Sequence, residues 1–166
     1  MKIYLIGSLR DPEVPKTAAA LRAAGHETFD DWFAAGPEAD DKWRDYEKDR
    51  GHTYIEALEG LAANHVFTFD FFHLNRSEAG VLLLPCGRSG HLELGYLIGQ
   101  GKPGYILLDR PDRWDVMYKL AAHDCPASER IFMRVEALID QLDREKRRVS
   151  SPVIEYNFVP GVQFKG

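Results

Sequence analysis

Glu93 stands in the run Val81-Leu82-Leu83-Leu84-Pro85-Cys86-Gly87-Arg88-Ser89-Gly90-His91-Leu92-Glu93-Leu94-Gly95-Tyr96. An apolar stretch, a glycine-bracketed turn and an amphipathic segment predict strand, loop and helix, with Glu93 about one turn inside the helix. Ligands of open α/β sheets bind where strand ends meet helix starts, so Glu93 is the first candidate for chemistry. Read by itself, it equally fits a first-turn acid that serves only its helix dipole. Asp70 offers it a partner. In Val66-Phe67-Thr68-Phe69-Asp70-Phe71-Phe72, an aspartate among four phenylalanines loses hydration, which raises its pKa and lets it hold a proton near neutrality. Taken singly, Asp70 better fits the polar face of an amphipathic helix. Together, an ionised glutamate and a protonatable aspartate supply a nucleophile for an anomeric carbon and an acid for its leaving group.

Other constellations are weaker. Gly87-Arg88-Ser89-Gly90-His91 could cradle an anionic or hydroxyl-rich ligand through backbone N–H groups at a helix start. It is neither a Walker loop nor a three-glycine dinucleotide fingerprint. Ser89 with His123 and Asp124 suggests a serine hydrolase, but His91 replaces the glycine required two residues after the serine. Cys86 at a strand end could be a thiol nucleophile, although such cysteines are more often small buried hydrophobes. His65 and His73 lack metal-ligand spacing, and no metal site is expected. Asp31 and Trp32 follow a second strand and end at the same sheet edge, where Trp32 either stacks on a base or packs.

The elements that must position these groups can be read along the chain. Ile3 to Ile6 predicts strand one, followed by the loop Gly7-Ser8-Leu9-Arg10-Asp11-Pro12 and a helix from Glu13 to Ala24. Glu27 to Asp30 predicts a short strand, Asp31 to Asp41 a loop, and Lys42 to Ala63 one or two helices. The aromatic segment Asn64 to Glu78 leads into strand three at Val81. Tyr105 to Leu108 is a further strand, and Ser128 to Lys146 an amphipathic helix. Strands alternating with helices imply a doubly wound parallel α/β sheet. The apolar tail from residue 151 to 166 is expected to dock on its own domain, residues 1–150, or on a neighbouring subunit.

With 166 residues and 45% hydrophobic content, the chain suits one domain rather than two. A net charge of −5 without a long basic face argues against nucleic-acid polymers and leaves a small-molecule ligand as the default. Two cysteines form no disulfide framework. The first apolar run is too short for a signal peptide or a membrane span, so a soluble cytoplasmic protein is expected.

Tyr4-x-x-Gly7-Ser8, Asp70, and Gly90-x-x-Glu93-Leu94-Gly95-Tyr96 resemble the nucleoside 2-deoxyribosyltransferases and the related nucleoside 5′-monophosphate N-glycosidases. The likeness spans roughly residues 1 to 110. It implies a flavodoxin-like fold and no cofactor. Glu93 matches the family's nucleophile, which forms a covalent deoxyribosyl intermediate at C1′, and Tyr4 the tyrosine that orients it. Asp70 looks like the acid that protonates the departing base. Gly7, Ser8, Ser89 and Gly90 resemble the sugar- or phosphate-binding loops, with Arg10 and Arg88 as possible phosphate partners. Known members form dimers or hexamers whose sites borrow residues from a neighbour, which implies a homo-oligomer here.

Two departures bear on substrate. Asp11-Pro12 stands where the monophosphate glycosidases carry Gly-Gly, and a carboxylate beside a phosphate is unfavourable. The segment Phe33 to Tyr54 is an insertion relative to compact members. Deoxyribosyl transfer between nucleobases is therefore the expected activity, with nucleoside monophosphate hydrolysis as the alternative. A nucleotide-sensing module without turnover, or a flavin protein, is allowed by the same fold.

Overall fold

Five short strands lie side by side in the order β2-β1-β3-β4-β5, all parallel. They are β1 (Lys2–Ile6), β2 (Glu27–Phe29), β3 (Ala79–Leu83), β4 (Gly104–Leu107) and β5 (Ile131–Phe132). Six helices accompany them: α1 (Glu13–Ala23), α2 (Ala39–Asp49), α3 (Tyr54–Leu58), α4 (Leu61–Arg76), α5 (Arg88–Gly99) and α6 (Val135–Ser150). This computed structural model describes residues 1–110 and 114–150. The tail from residue 151 onward, expected to dock, lies outside them.

The sheet is covered on both faces, as parallel sheets must be, and its strands are accordingly apolar throughout. Alternation along each strand sorts the side chains between two cores. Ile3, Leu5, Val81, Leu83, Tyr105 and Leu107 face α1 and α6, meeting Val14, Ala18, Leu21, Leu138 and Leu142. Tyr4, Ile6, Leu82, Leu84 and Ile106 face the opposite side, against Leu74 of α4 and Leu94 and Leu97 of α5. The strand order and parallel sense are those of a flavodoxin-like doubly wound fold.

The structure departs from the expected elements in three places. The segment after β2 is not a plain loop: a 3-10 helix occupies Asp31–Ala35 and α2 already begins at Ala39. The aromatic segment before β3 is one continuous helix, α4. The helix expected from Ser128 begins only at Val135, because Ile131 and Phe132 form the edge strand β5. β4 donates from Ile106 N to Arg130 O and from Leu108 N to Phe132 O, both at 2.8 Å, a long-range pairing that local pattern does not encode. Among the described residues, no helix is long and apolar enough to cross a membrane.

Candidate active site

Three side chains from three elements meet on the α4/α5 face. Tyr4 is the middle residue of β1, and the strand's two-residue period turns it away from α1 and toward α4 and α5. Asp70 lies one turn before Leu74 on α4, so both share the face that packs on the sheet. α4 ends just before β3 begins, which places Leu74 low against the core and Asp70 one turn nearer the strands' C-terminal ends. Glu93 flanks the buried stripe Gly90, Leu94 and Leu97 of α5, the helix that leaves the C-terminal end of β3. Two crossover helices thus deliver one carboxyl each to the end of the sheet where α/β proteins bind ligands.

Electrostatics tie the three groups together. Burial pushes the Glu93 carboxyl up to about 7, and the neighbouring Asp70 adds to the rise. Burial also raises Asp70, with His73 one turn further along α4 partly opposing it. The Tyr4 hydroxyl is raised far above the usual phenol range by burial, then by Glu93, then by Asp70. Burial of both carboxyls, with Asp70 beside Glu93, favours keeping a proton on the pair.

Phe29, a residue that sequence reasoning passed over, braces this arrangement. Its ring lies 5.1 Å from Tyr4 and stacks on His73 at 4.0 Å with planes 6° apart. One side chain of β2 therefore supports both the tyrosine on β1 and the helix that carries Asp70. The only sequence clue was its position at the end of a strand beside Tyr4.

The remaining expected site residues are placed less uniformly. Trp32 packs: its Nε1 donates to Leu5 O at 2.9 Å, and its ring lies under the β1–α1 loop. Gly7 is small because Val14 and Trp32 crowd it; a Cβ there would come within 2.7 Å of Val14 Cγ2. Asp31 is exposed at the start of its 3-10 helix and lines a separate cavity of about 200 Å³ with Phe29, His73 and Arg76. Ser8 Oγ accepts from the backbone N–H of Arg10 at 3.2 Å, and the Arg10 guanidinium donates to Asp41 at 2.8 Å.

At the start of α5, Arg88 and Ser89 are exposed, whereas Gly90 is buried. A Cβ at Gly90 would lie 2.3 Å from Cys86 Sγ and 2.8 Å from Ile6 Cγ2, so only glycine lets the helix start this close to β1. His91 is engaged by the protein itself. Its Nδ1 meets Gly87 O at 2.8 Å, which assigns the proton to Nδ1 and leaves Nε2 to accept from the Tyr118 hydroxyl at 3.1 Å. It tethers the turn rather than reaching for a ligand.

No protein-family model matches the sequence, and no curated protein does. Among solved structures, the chain is similar to a 2-deoxyribosyltransferase from the psychrotolerant bacterium Bacillus psychrosaccharolyticus, described as a biocatalyst for nucleoside synthesis. The TM-score is 0.53 at 18% sequence identity, covering 84% of this chain and 91% of that one. At that identity the shared property is the fold.

Proposed function

We propose that the protein cleaves the N-glycosidic bond of 2′-deoxynucleosides and transfers the deoxyribosyl group to another nucleobase. The observation that carries this reading is the convergence of Tyr4, Asp70 and Glu93, with burial raising both carboxyls and each acting on the tyrosine. The motif resemblance and the likeness of fold to a 2-deoxyribosyltransferase support it.

In this mechanism a carboxylate oxygen of Glu93 forms a bond to C1′ as the C1′–N bond breaks, and Asp70 gives its proton to the departing base. A hydrogen bond from Asp70 to the base nitrogen favours the form in which Asp70 holds the pair's proton and Glu93 is ionised. Tyr4 orients the attacking carboxylate. A second nucleobase then attacks C1′, the ester electrons return to Glu93, and Asp70 takes up the incoming base's proton. Two inversions give net retention. The test is incubation with deoxyinosine and free adenine: deoxyadenosine appears with the wild type and not with Glu93→Ala. Free base and sugar alone would identify hydrolysis, and binding without product a sensing module.

A second copy of the chain is the proposed cover for α4. This helix leaves large apolar side chains uncovered: Leu61 is 90%, Phe67 61% and Phe72 55% exposed. At roughly 200 Å² per aromatic side chain, Phe67, Phe69, Phe71 and Phe72 together leave about 400 Å² uncovered. Leu61, Val66 and Leu92 carry the patch toward the roughly 800 Å² per partner of a stable interface. Between Leu61 and Phe72 the one carboxylate is Asp70, which sits on the sheet-facing side, and the one basic residue is His65, so two copies of this face bring no carboxylates together. Because α4 also bears Asp70, such a dimer would border the site. Both cysteines are thiols rather than disulfides, which fits the proposed cytoplasmic location.

A further inference from the structure

The inserted helix α2 reaches the β1–α1 loop through an ion pair. Asp41, in the first turn of α2, accepts from Arg10 Nη2 on its Oδ2 at 2.8 Å and from Arg44 Nη1 on its Oδ1 at 2.8 Å. Both carboxylate oxygens are occupied, and the guanidinium best placed to meet an anion at this loop is already neutralised.

The backbone donors where the loop enters α1 are also spent. Arg10 N donates to Ser8 Oγ, Asp11 N to Ser8 O, Glu13 N to Asp11 Oδ1 and Val14 N to Asp11 O, at distances from 2.9 to 3.2 Å. Pro12 has no N–H to give. Positions 10 to 14 therefore offer no backbone donor, and the Asp11 carboxylate occupies the helix start where an anion would otherwise sit.

We propose that Asp41 is a specificity-determining residue: by holding Arg10 it closes the β1–α1 loop to a 5′-phosphate and restricts the substrate to 5′-unphosphorylated nucleosides. The inference rests on the glycosyl-transfer reading above. With the base against Asp70 and C1′ at Glu93, the 5′ end lies across the sugar ring from α4, toward the loops that follow β1 and β3. These two loops are neighbours, since Gly90 at the start of α5 abuts Ile6 at the end of β1. A phosphate there would have to detach Arg10 from Asp41 and then face the carboxylates of Asp11 and Asp41. A 5′-hydroxyl meets no such opposition, and the exposed Ser89 and Arg88 suffice to hold it.

The experiment compares deoxyinosine with deoxyinosine 5′-monophosphate as donors, adenine being the acceptor, in the wild type, Asp41→Asn and Asp41→Asn/Arg10→Gln. The wild type is expected to favour the nucleoside in kcat/KM. Asp41→Asn is expected to shift that ratio toward the monophosphate about tenfold, the scale of one guanidinium released to meet a phosphate near a protein surface. Adding Arg10→Gln is expected to cancel the shift. A wild type that prefers the monophosphate, or a ratio unmoved by Asp41→Asn, overturns the inference and leaves glycosyl transfer standing. No turnover of either donor overturns the transfer reading, and this inference with it.

Discussion

Asp70 on α4 opposes the ionisation of Glu93 on α5 across the end of the sheet, two carboxyls from separate helices whose burial raises both. Neither helix requires its acid for stability; α5 is held by Leu94 and Leu97, and α4 by Leu74. The pairing therefore costs stability, and its consequences can be measured.

The first consequence is a bell-shaped pH profile for base exchange. The productive pair carries one proton, with Glu93 ionised and Asp70 protonated, so kcat/KM is expected to fall at high pH as the pair loses that proton. It falls again at lower pH as a second proton is taken up. In Asp70→Asn the shared proton is gone and Glu93 titrates by itself, so residual activity is expected to rise with pH. A profile with the same shape in both proteins would remove Asp70 from the mechanism.

Stability should depend on pH through the same residue. The Glu93 carboxyl goes from its ordinary 4.5 to about 7 on folding, so the folded state binds its proton more tightly. The favourable contribution is complete below 4.5 and is lost as pH rises through about 7. Glu93→Gln is expected to be more stable than the wild type at pH 8, by up to about 3 kcal/mol. Denaturant unfolding at pH 8 and pH 4.5 tests this; an equal difference at the two values would refute it.

Tyr4→Phe keeps the ring against Phe29 and removes only the hydroxyl beside the carboxyls. Loss of orientation at the nucleophile is expected to lower kcat by roughly 10- to 100-fold with KM little changed. Steady-state kinetics with an unchanged melting curve would separate this from a folding defect.

At Gly90 the expectation is structural. Alanine would press its methyl into Cys86, Ile6 and Leu82, and the start of α5 would have to move. A loss of about 1 to 3 kcal/mol is expected on unfolding, together with reduced exchange activity, because Glu93 rides on the same helix.

Phe67→Asp tests the α4 surface. Placing a carboxylate on each copy of a self-complementary face is expected to convert a dimer into monomers, read by light scattering behind size exclusion. A wild type that is monomeric at tens of micromolar would rule out the proposed cover.

Much of this protein was determined by sequence, because periodicity is local. The apolar runs at Ile3–Ile6, Val81–Leu84 and Tyr105–Leu108, the helices between them, and the glycine turn before Glu93 follow from the alternation of apolar and polar residues alone. The candidates Asp70 and Glu93 were visible as chemistry out of place, an acid among phenylalanines and an acid at a strand–helix junction, while Tyr4 came through the motif resemblance. What tertiary structure decided was which groups meet. Register and crossover carry Tyr4, Asp70 and Glu93 to one face and bring Phe29 behind them, none of which is encoded within a window of neighbours. The edge strand β5 exists because the free side of β4 supplies partners for two residues that lacked a strand pattern. Arg10, read as a candidate phosphate ligand, is held by an aspartate 31 positions away on an inserted helix. Charge in a sequence shows what a residue can bind, and only the fold shows what it already holds.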